Sequence, residues 1–246
     1  MGKARRTRQT REQERRRART KRLLIATGAA VFLVIALIAV QQLTSGGSSA
    51  PDPANLAGVA DVRAEFSGLT ERGGTLGPAS AKVTIVEYGD LRCPLCRQFD
   101  NDVVPRLLTD LVRTGNARLQ YKTWPILGPN SIVAAQAAYA ARRQNALWRY
   151  AALTYLNQGS ESDNWFTRAL ARSLAAGVGL DSKRFDQDFT SPAAQTAIAQ
   201  VDAEAARLAL PGTPAIRIVG PQASITVDAT YDAIKAGVQK AGGSAG

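Results

Sequence analysis

The chain contains only two cysteines, and two residues separate them in the sequence Cys93-Pro94-Leu95-Cys96. A disulfide that closes so small a loop adds little stability, roughly 2 kcal/mol in the chain-entropy model against about 4.7 kcal/mol for a 100-residue loop. A chain of 246 residues is long enough to bury its own core without such a crosslink. The spacing therefore indicates two sulfurs that exchange electrons.

The net charge of +11 is concentrated at the N-terminus. Residues 1–22 contain eleven Lys or Arg and two Glu, so nine of the eleven net positive charges lie there. The rest of the chain is close to neutral, which argues against a nucleic-acid-binding domain. The chain has no histidine, which excludes His-dependent catalytic triads and His-ligated metal sites.

An uncharged apolar segment, residues 23–43, follows this basic tail. A helix of this length spans the ~30 Å hydrocarbon core of a bilayer. By the positive-inside rule, residues 1–22 are predicted to be cytoplasmic and the remainder extracytoplasmic. A cleaved signal peptide is the alternative, but its apolar region is usually about 7–15 residues long, so we favour an uncleaved anchor. Residues 44–69 are predicted as an extracytoplasmic linker and 242–246 as a flexible C-terminal tail.

The remaining chain alternates between strand and helix patterns. Residues 82–88, KVTIVEY, are β-branched and aromatic, which suits a buried strand. A helix is predicted over 94–114, with Cys93 as its N-cap, Pro94 as its first residue and a kink at Pro105. The other predicted elements are a strand over 117–124, helices over 131–156, 164–176, from about 181 and over 192–208, strands over 215–219 and 223–227, and a helix over 229–241.

A helix N-terminus would give the two cysteines different roles. The thiolate is the attacking form of cysteine, and free cysteine, with a pKa of about 8.5, is mostly protonated at neutral pH. The partial positive charge and unpaired N–H groups of a helix N-terminus favour the thiolate of Cys93. Cys96, one turn further along, can attack a mixed disulfide at Cys93 and release the partner. Cys93 is thus the predicted nucleophile and Cys96 the resolving cysteine.

A passive local disulfide and a metal site are the alternatives at this point. Two thiolates without histidine supply half of a tetrahedral zinc shell, so zinc would need a second chain or carboxylates. A two-cysteine copper(I) site is chemically possible. Copper-handling proteins usually bring further Met or His ligands, however, and the one methionine here is Met1. Neither a metal nor a cofactor is predicted.

The order of elements resembles that of DsbA-like thioredoxin-fold proteins over residues 70–241. The resemblance rests on a strand followed by CPLC and a helix, on the helical block, and on Gly212-Thr213-Pro214 before a later strand. It implies an α/β thioredoxin fold with an inserted all-helical domain at about 129–209. With the apolar segment, the prediction is such a domain preceded by one N-terminal transmembrane helix.

The resemblance also implies a substrate groove. Pro214 matches the cis-proline that faces the active site in thioredoxin folds, and Thr213 before it would line the groove. Its backbone is expected to pair with an extended substrate chain, as in strand addition. Pro94 and Leu95, between the cysteines, are expected to contact the substrate as well.

A buried acid near the inner cysteine is a further feature of the family. Glu87, six residues before Cys93, matches it and is expected to move protons to and from Cys96. Burial would raise its pKa. Lys122, on the next predicted strand, is a possible partner of Glu87. The resemblance implies that Cys93 and Cys96 form a redox-active disulfide.

One departure from the family pattern leaves the direction of electron flow open. Many strongly oxidising members have histidine between the cysteines, where this chain has Pro94-Leu95. The thiolate must then rely on helix N–H groups and on basic neighbours such as Arg92 and Arg97. We predict an oxidase. A disulfide reductase or isomerase is the alternative within this class, and a tethered non-catalytic binding or copper(I)-handling module is the alternative outside it.

The predicted partners follow from this function. They are cysteine-containing secreted or envelope proteins and a membrane redox partner, quinone-linked if it reoxidises the pair or an electron donor if the protein is a reductase. No nucleic acid partner is expected. Isomerases of this class often dimerise, and since no dedicated dimerisation segment is evident in the sequence, a monomer is predicted.

Overall fold

The computed structural model describes residues 52–244, which are organised around a six-stranded sheet. Its strand order is β1-β2-β4-β3-β5-β6. Within it β3 and β4 pair in parallel, and the other neighbouring strands pair antiparallel. The strands are β1 (Glu71–Arg72), β2 (Thr75–Leu76), β3 (Val83–Gly89), β4 (Ala117–Thr123), β5 (Ala215–Val219) and β6 (Ser224–Val227).

Helices precede, follow and interrupt the strands. A short 3-10 turn at Pro53–Asn55 comes first, and a π-helical turn at Leu108–Val112 follows α3. The helices are α1 (Val59–Glu65), α2 (Pro94–Asp102), α3 (Val104–Leu107), α4 (Pro129–Arg143), α5 (Leu147–Leu156), α6 (Arg168–Gly177), α7 (Ser182–Phe189), α8 (Pro192–Arg207) and α9 (Tyr231–Lys240). The predicted α/β architecture is therefore present, with a helical block between β4 and β5.

Strand β3 lies at the centre of the sheet, and all seven of its residues are buried. It is paired with β4 on one side and β5 on the other. Ile85 belongs to the larger apolar cluster on one face, and Val86 and Tyr88 belong to a smaller cluster on the opposite face. A strand covered on both faces has no polar side, which explains its nearly continuous apolar sequence.

The predicted helix over 131–156 was wrong, because it is two helices. Helix α4 ends at Arg143, and Asn145 adopts a left-handed backbone conformation with φ of 58°. The carboxylate of Glu71 then accepts hydrogen bonds from the N–H groups of Leu147 and Trp148. A carboxylate from a distant strand thus caps the start of α5, and the residues between the helices contain no proline or glycine that signals the break.

The linker predicted over 44–69 also needs correction where the structure describes it. Helix α1 lies in this range, and Val62 and Phe66 are buried in the larger core cluster. The domain therefore begins upstream of residue 70. Gly73 and Gly74 form the two-residue loop between β1 and β2, and both have positive φ, as the favoured hairpin turn requires.

The predicted basic tail, transmembrane segment and first part of the linker lie outside residues 52–244. Among the residues that are described, no helix combines the length and the apolar character needed to cross a bilayer.

Candidate active site

The turn after β3 brings Cys93 to the first turn of α2. The N–H of Cys93 donates to the carbonyl oxygen of Asp90 at 2.9 Å. Cys93 has an extended backbone and is the N-cap of α2, and Pro94 is the first helical residue. The helix begins there because proline fits the first position, where its missing N–H would have had no helical partner.

Both cysteines are free thiols, so the structure represents the reduced pair. The predicted Cys93–Cys96 disulfide is not formed in this state. Cys93 is 6% exposed and Cys96 is completely buried. The two sulfurs therefore lie in different surroundings, although only two residues separate them.

Several groups stabilise the thiolate form of Cys93. Together they lower its pKa from 9.0 to about 6. The hydrogen bond with Cys96 contributes most. The Thr213 side chain and the backbone N–H groups of Cys96 and Leu95 add to it, against a burial effect that raises the pKa. At neutral pH, most of Cys93 is therefore ionised.

The surroundings of Cys96 act in the opposite direction. Burial is the largest cause that raises its pKa, followed by its hydrogen bond to Cys93 and by electrostatic repulsion from the ionised forms of Glu87 and Cys93. Near neutral pH, Cys96 therefore remains a protonated thiol. The site holds one ionised and one neutral sulfur.

The segment before β5 faces Cys93. The Thr213–Pro214 peptide bond is cis, and in its protonated form the Cys93 thiol donates to the carbonyl oxygen of Thr213 at 3.4 Å. While Cys93 is protonated, the buried Thr213 hydroxyl makes no hydrogen bond to any described residue. It is therefore available to donate to the Cys93 thiolate.

An open groove of about 750 Å³ runs beside this segment. Thr213 and Pro214 line it on one side, Leu95 and Phe99 of α2 on another, and Tyr231 of α9 closes it. The Leu95 side chain is 62% exposed, which is unusual for leucine. Pro94 is half-buried beside it. The four residues predicted to contact substrate thus lie together around Cys93.

Glu87 lies beneath the cysteines in the core. It is 1% exposed, and neither carboxylate oxygen has a hydrogen-bond partner among residues 52–244. Burial raises the pKa of Glu87 well above its ordinary value, and the negative charges of Asp100 and Cys93 raise it further. These effects favour the neutral form of Glu87, which is in electrostatic contact with both cysteines.

The predicted pairing of Lys122 with Glu87 was wrong. Glu87 is opposite Tyr121 in the β3–β4 register, and Tyr88 is opposite Lys122. Because successive strand residues point to opposite faces, Lys122 lies on the other side of the sheet from Glu87. It forms an ion pair there with Glu204 of α8.

The two arginines beside the motif do not contact the Cys93 sulfur. Arg92 is buried, and its guanidinium donates to the carbonyl oxygens of Leu127, Glu161 and Asp163 at 3.0, 2.6 and 2.7 Å. It joins the active-site turn to two loops of the helical block. Arg97 is exposed. The thiolate is therefore supported by hydrogen bonds and helix N–H groups rather than by an adjacent cation.

Several supporting residues were not identified from the sequence. The Asp90 carboxylate accepts hydrogen bonds from the N–H groups of Arg92, Ile126 and Leu127. The Gln158 amide donates to the carbonyl oxygen of Cys93 at 3.2 Å and to that of Leu91 at 3.0 Å. Asp90 beside Gly89 is a typical turn signal that could have been used. Gln158 gives no sequence signal, since it acts from the helical block.

A second buried carboxyl, Asp100, was also missed. It lies on α2, and burial raises its pKa well above its ordinary value. An aspartate seven residues beyond Cys93 cannot be told from a surface residue by its spacing alone. No group of three or more His, Cys, Asp or Glu within residues 52–244 is arranged to hold a metal ion.

Comparison with known proteins finds a family model, curated relatives and solved structures similar to this chain. The family model described as Thioredoxin matches residues 70–239. A probable disulfide bond formation protein D of Bacillus cereus is 28% identical over 170 residues, 68% of this chain and 79% of that protein. A thioredoxin-like oxidoreductase from Silicibacter pomeroyi is 31% identical, with a TM-score of 0.56 over 68% of this chain and 90% of that one. BdbD from Bacillus subtilis shares the fold, at 22% identity and a TM-score of 0.61 over 70% and 97% of the two chains.

Proposed function

The chain belongs to the thioredoxin family and is a DsbA-like thiol–disulfide oxidoreductase, and we propose that it acts outside the cytoplasm as an oxidase. Its redox centre would be the CPLC motif. The observation that carries this proposal is the opposite ionisation of the two sulfurs. The pKa of Cys93 is lowered to about 6 while that of Cys96 is raised.

A stabilised thiolate favours the oxidase direction. It stabilises the reduced form of the pair, which makes the disulfide form a stronger oxidant. Thioredoxin has a cysteine pKa of about 7 and DsbA one of about 3.5. A Cys93 pKa of about 6 lies between these values. This supports an oxidant stronger than thioredoxin, even without a histidine between the cysteines.

The oxidase cycle would begin with the Cys93–Cys96 disulfide. A substrate thiolate attacks the Cys93 sulfur, forms a mixed disulfide and expels Cys96 as a thiolate, which takes up a proton. A second thiolate of the substrate then attacks the substrate sulfur of the mixed disulfide and expels Cys93. The substrate loses two electrons as its disulfide forms, and the Cys93–Cys96 pair gains them. Because Cys93 has the lower pKa, it is the better leaving group in this second step.

Glu87 would supply the proton that Cys96 needs. Burial raises its pKa and so favours its protonated form, which can protonate the expelled Cys96 thiolate. In the reverse direction its carboxylate would remove the proton from Cys96. Its unpartnered oxygens and its electrostatic contact with Cys96 support this role.

The groove beside the cis-proline would hold the substrate. An extended chain can pair with the backbone at Thr213, and its side chains can contact Pro94, Leu95 and Pro214. The exposed Leu95 side chain offers an apolar contact that does not depend on one substrate sequence. This suits an enzyme that oxidises many unfolded secreted or envelope proteins.

The predicted anchor would hold the domain at the outer surface of the cell membrane. The apolar segment 23–43 and the basic tail 1–22 support this placement. Disulfides persist in such an oxidising compartment. A quinone-linked membrane protein would reoxidise the pair after each cycle.

The test of the oxidase proposal is the reduction potential of the full-length protein, equilibrated against glutathione with thiol trapping. We expect a value less negative than about −200 mV, on the side of DsbA at about −120 mV. A value near that of thioredoxin, about −270 mV, would instead indicate a reductase that needs an electron supply. A pair that does not equilibrate with glutathione would contradict redox exchange and favour a tethered binding module.

A further inference from the structure

A second groove lies on the face of the sheet opposite Glu87. Its volume is about 380 Å³. We call it the arginine groove, and the residues that define it are Tyr88, Arg118, Lys122, Glu204, Arg207 and Arg217. Because Glu87 and Tyr88 are neighbours in β3, their side chains point to opposite faces. The groove is therefore separated from the cysteines by the sheet.

The one carboxylate of the arginine groove is already occupied. The hydroxyl of Tyr88 donates to one oxygen of Glu204 at 2.9 Å, and Lys122 forms an ion pair with the other. Glu204 thus balances the charge of Lys122. It makes no ion pair with any of the three arginines within residues 52–244.

The arginines are oriented without being neutralised. The Arg118 Nε atom donates to the hydroxyl of Thr84 at 2.9 Å. The two terminal nitrogens of Arg217 donate to the hydroxyls of Ser224 and Thr226, at 2.6 and 3.2 Å. A hydroxyl is a neutral acceptor, so these contacts hold the guanidinium groups in place and leave their charge uncompensated.

The third arginine has a different environment. Arg207 is the last residue of α8, is exposed, and makes no hydrogen bond or ion pair within the described part of the chain. A cation is favourable at a helix C-terminus, which accounts for Arg207 in part. The same reason does not apply to Arg118 and Arg217, which lie on strands β4 and β5.

The geometry points to a site for a phosphate group, held by Arg118, Arg207 and Arg217. The three guanidinium groups come from two strands and a helix and line one concave surface. Arginine forks bind phosphate and carboxylate oxygens through paired N–H groups. A carboxylate has two oxygens and one charge, whereas a terminal phosphate (a phosphomonoester) offers three terminal oxygens and up to two charges. The larger anion therefore matches three arginines that line one groove better.

The phosphate could belong to a lipid headgroup or to a soluble phosphorylated molecule, and the test separates these sources. Full-length protein in a phosphate-free buffer is titrated with sodium pyrophosphate by calorimetry. We expect saturable binding that weakens at least about tenfold in the variant Arg118→Gln/Arg207→Gln/Arg217→Gln, because charge-assisted hydrogen bonds are lost. Higher salt is expected to weaken the binding.

A matched control removes the same charge elsewhere. Arg63, Arg72 and Arg184 are exposed, and their side chains make no hydrogen bond or ion pair with other described residues. The variant Arg63→Gln/Arg72→Gln/Arg184→Gln should bind pyrophosphate as the unmodified protein does. The single change Arg207→Gln touches no internal hydrogen bond, so it tests the groove with the fold intact, and we expect it to weaken binding by about threefold.

Three outcomes would overturn the inference. They are equal affinity in the groove variant and the unmodified protein, equal loss in both triple variants, and no saturable binding at all. A second arm uses vesicles of phosphatidylcholine with and without phosphatidic acid, whose headgroup is a terminal phosphate. It compares the two triple variants because the basic tail 1–22 also binds anionic vesicles. Weaker vesicle binding by the groove variant supports a lipid headgroup. Equal vesicle binding with a loss of pyrophosphate binding supports a soluble phosphorylated molecule.

Discussion

Cys93 and Cys96 are chemically identical and lie one helical turn apart, yet their surroundings shift their pKa values in opposite directions. Cys93 is at the N-terminus of α2 beside a groove, where N–H groups and Thr213 stabilise its thiolate. Cys96 is inside the core, where burial and its hydrogen bond to Cys93 raise its pKa and keep it protonated. The difference shows that the position of a thiol relative to a helix end and to solvent decides its chemistry.

The largest expected effect comes from removing one cysteine sulfur at a time. Cys93→Ser should reduce disulfide exchange to the uncatalysed background, because the fully buried, protonated Cys96 thiol cannot replace the Cys93 thiolate. Cys96→Ser should keep the attacking thiolate and accumulate mixed disulfides with substrates at Cys93. Thiol trapping and mass spectrometry would measure both. If the two variants behaved alike, the assignment of separate roles would be wrong.

Replacing the buried acid Glu87 tests how Cys96 gains and loses its proton. Glu87→Gln keeps the shape of the side chain but cannot exchange a proton, so steps that protonate or deprotonate Cys96 should slow by about 100-fold. The pH profile of the rate should lose the ionisation that belongs to Glu87. Stopped-flow measurement of exchange with a model dithiol would show this.

A matched control for Glu87→Gln is Glu161→Gln, which makes the same side-chain substitution at an exposed residue. It should leave the rate and its pH profile unchanged. Equal effects of the two variants would contradict a proton-transfer role for Glu87.

Removing the hydroxyl of Thr213 tests how the Cys93 thiolate is stabilised, and we expect a smaller effect. Thr213→Val removes a hydrogen-bond donor to the Cys93 thiolate while it keeps a side chain of similar size. The pKa of Cys93 should rise from about 6 by up to about one unit. The thiolate absorbance of the reduced protein as a function of pH would measure it. The exposed Thr70→Val serves as control, and no rise in the pKa of Cys93 would rule out the hydroxyl as a donor.

The lowered pKa of Cys93 also makes the stability of the reduced protein depend on pH. The pKa of Cys93 in the folded reduced protein is about 6, below its ordinary value of 9.0, so the folded state binds fewer protons than the unfolded state between these values. The free energy of unfolding of the reduced protein should therefore increase with pH above about 6, and this gain is lost as the pH falls through 6. The oxidised protein has no such thiol and should lack this component. Denaturant unfolding of both forms between pH 6 and 8 would test it, and parallel curves would contradict the lowered pKa.

Much of the fold could be predicted because its signals are local. The β-branched run of β3, Pro94 at the start of α2, and Ser191 before Pro192 at the start of α8 each act through their nearest neighbours. The break between α4 and α5 could not be predicted in this way. It depends on the carboxylate of Glu71, which reaches Leu147 across 76 positions of the chain.

In the candidate site, too, some residues could be predicted from the sequence and others depend on contacts between distant segments. The CPLC spacing identified the two sulfurs, and the family resemblance identified Thr213, Pro214 and Glu87. The predicted partner of Glu87 was wrong because the face on which Lys122 lies depends on the register of β3 and β4. A shift of one residue in that register would reverse the face, and no residue near Lys122 specifies it.

The sequence by itself determined that two sulfurs lie at the junction of a strand and a helix, because strand, cap and helix preferences act within a few residues. Only the tertiary structure decided how strongly Cys96 is kept protonated, since the burial that raises its pKa most comes from distant segments. Thr213 reaches Cys93 across 120 positions, and the core that buries Cys96 and Glu87 is assembled from the sheet, α2 and the helical block. Burial and electrostatic contact depend on three-dimensional distance, so folding alone brings these groups together.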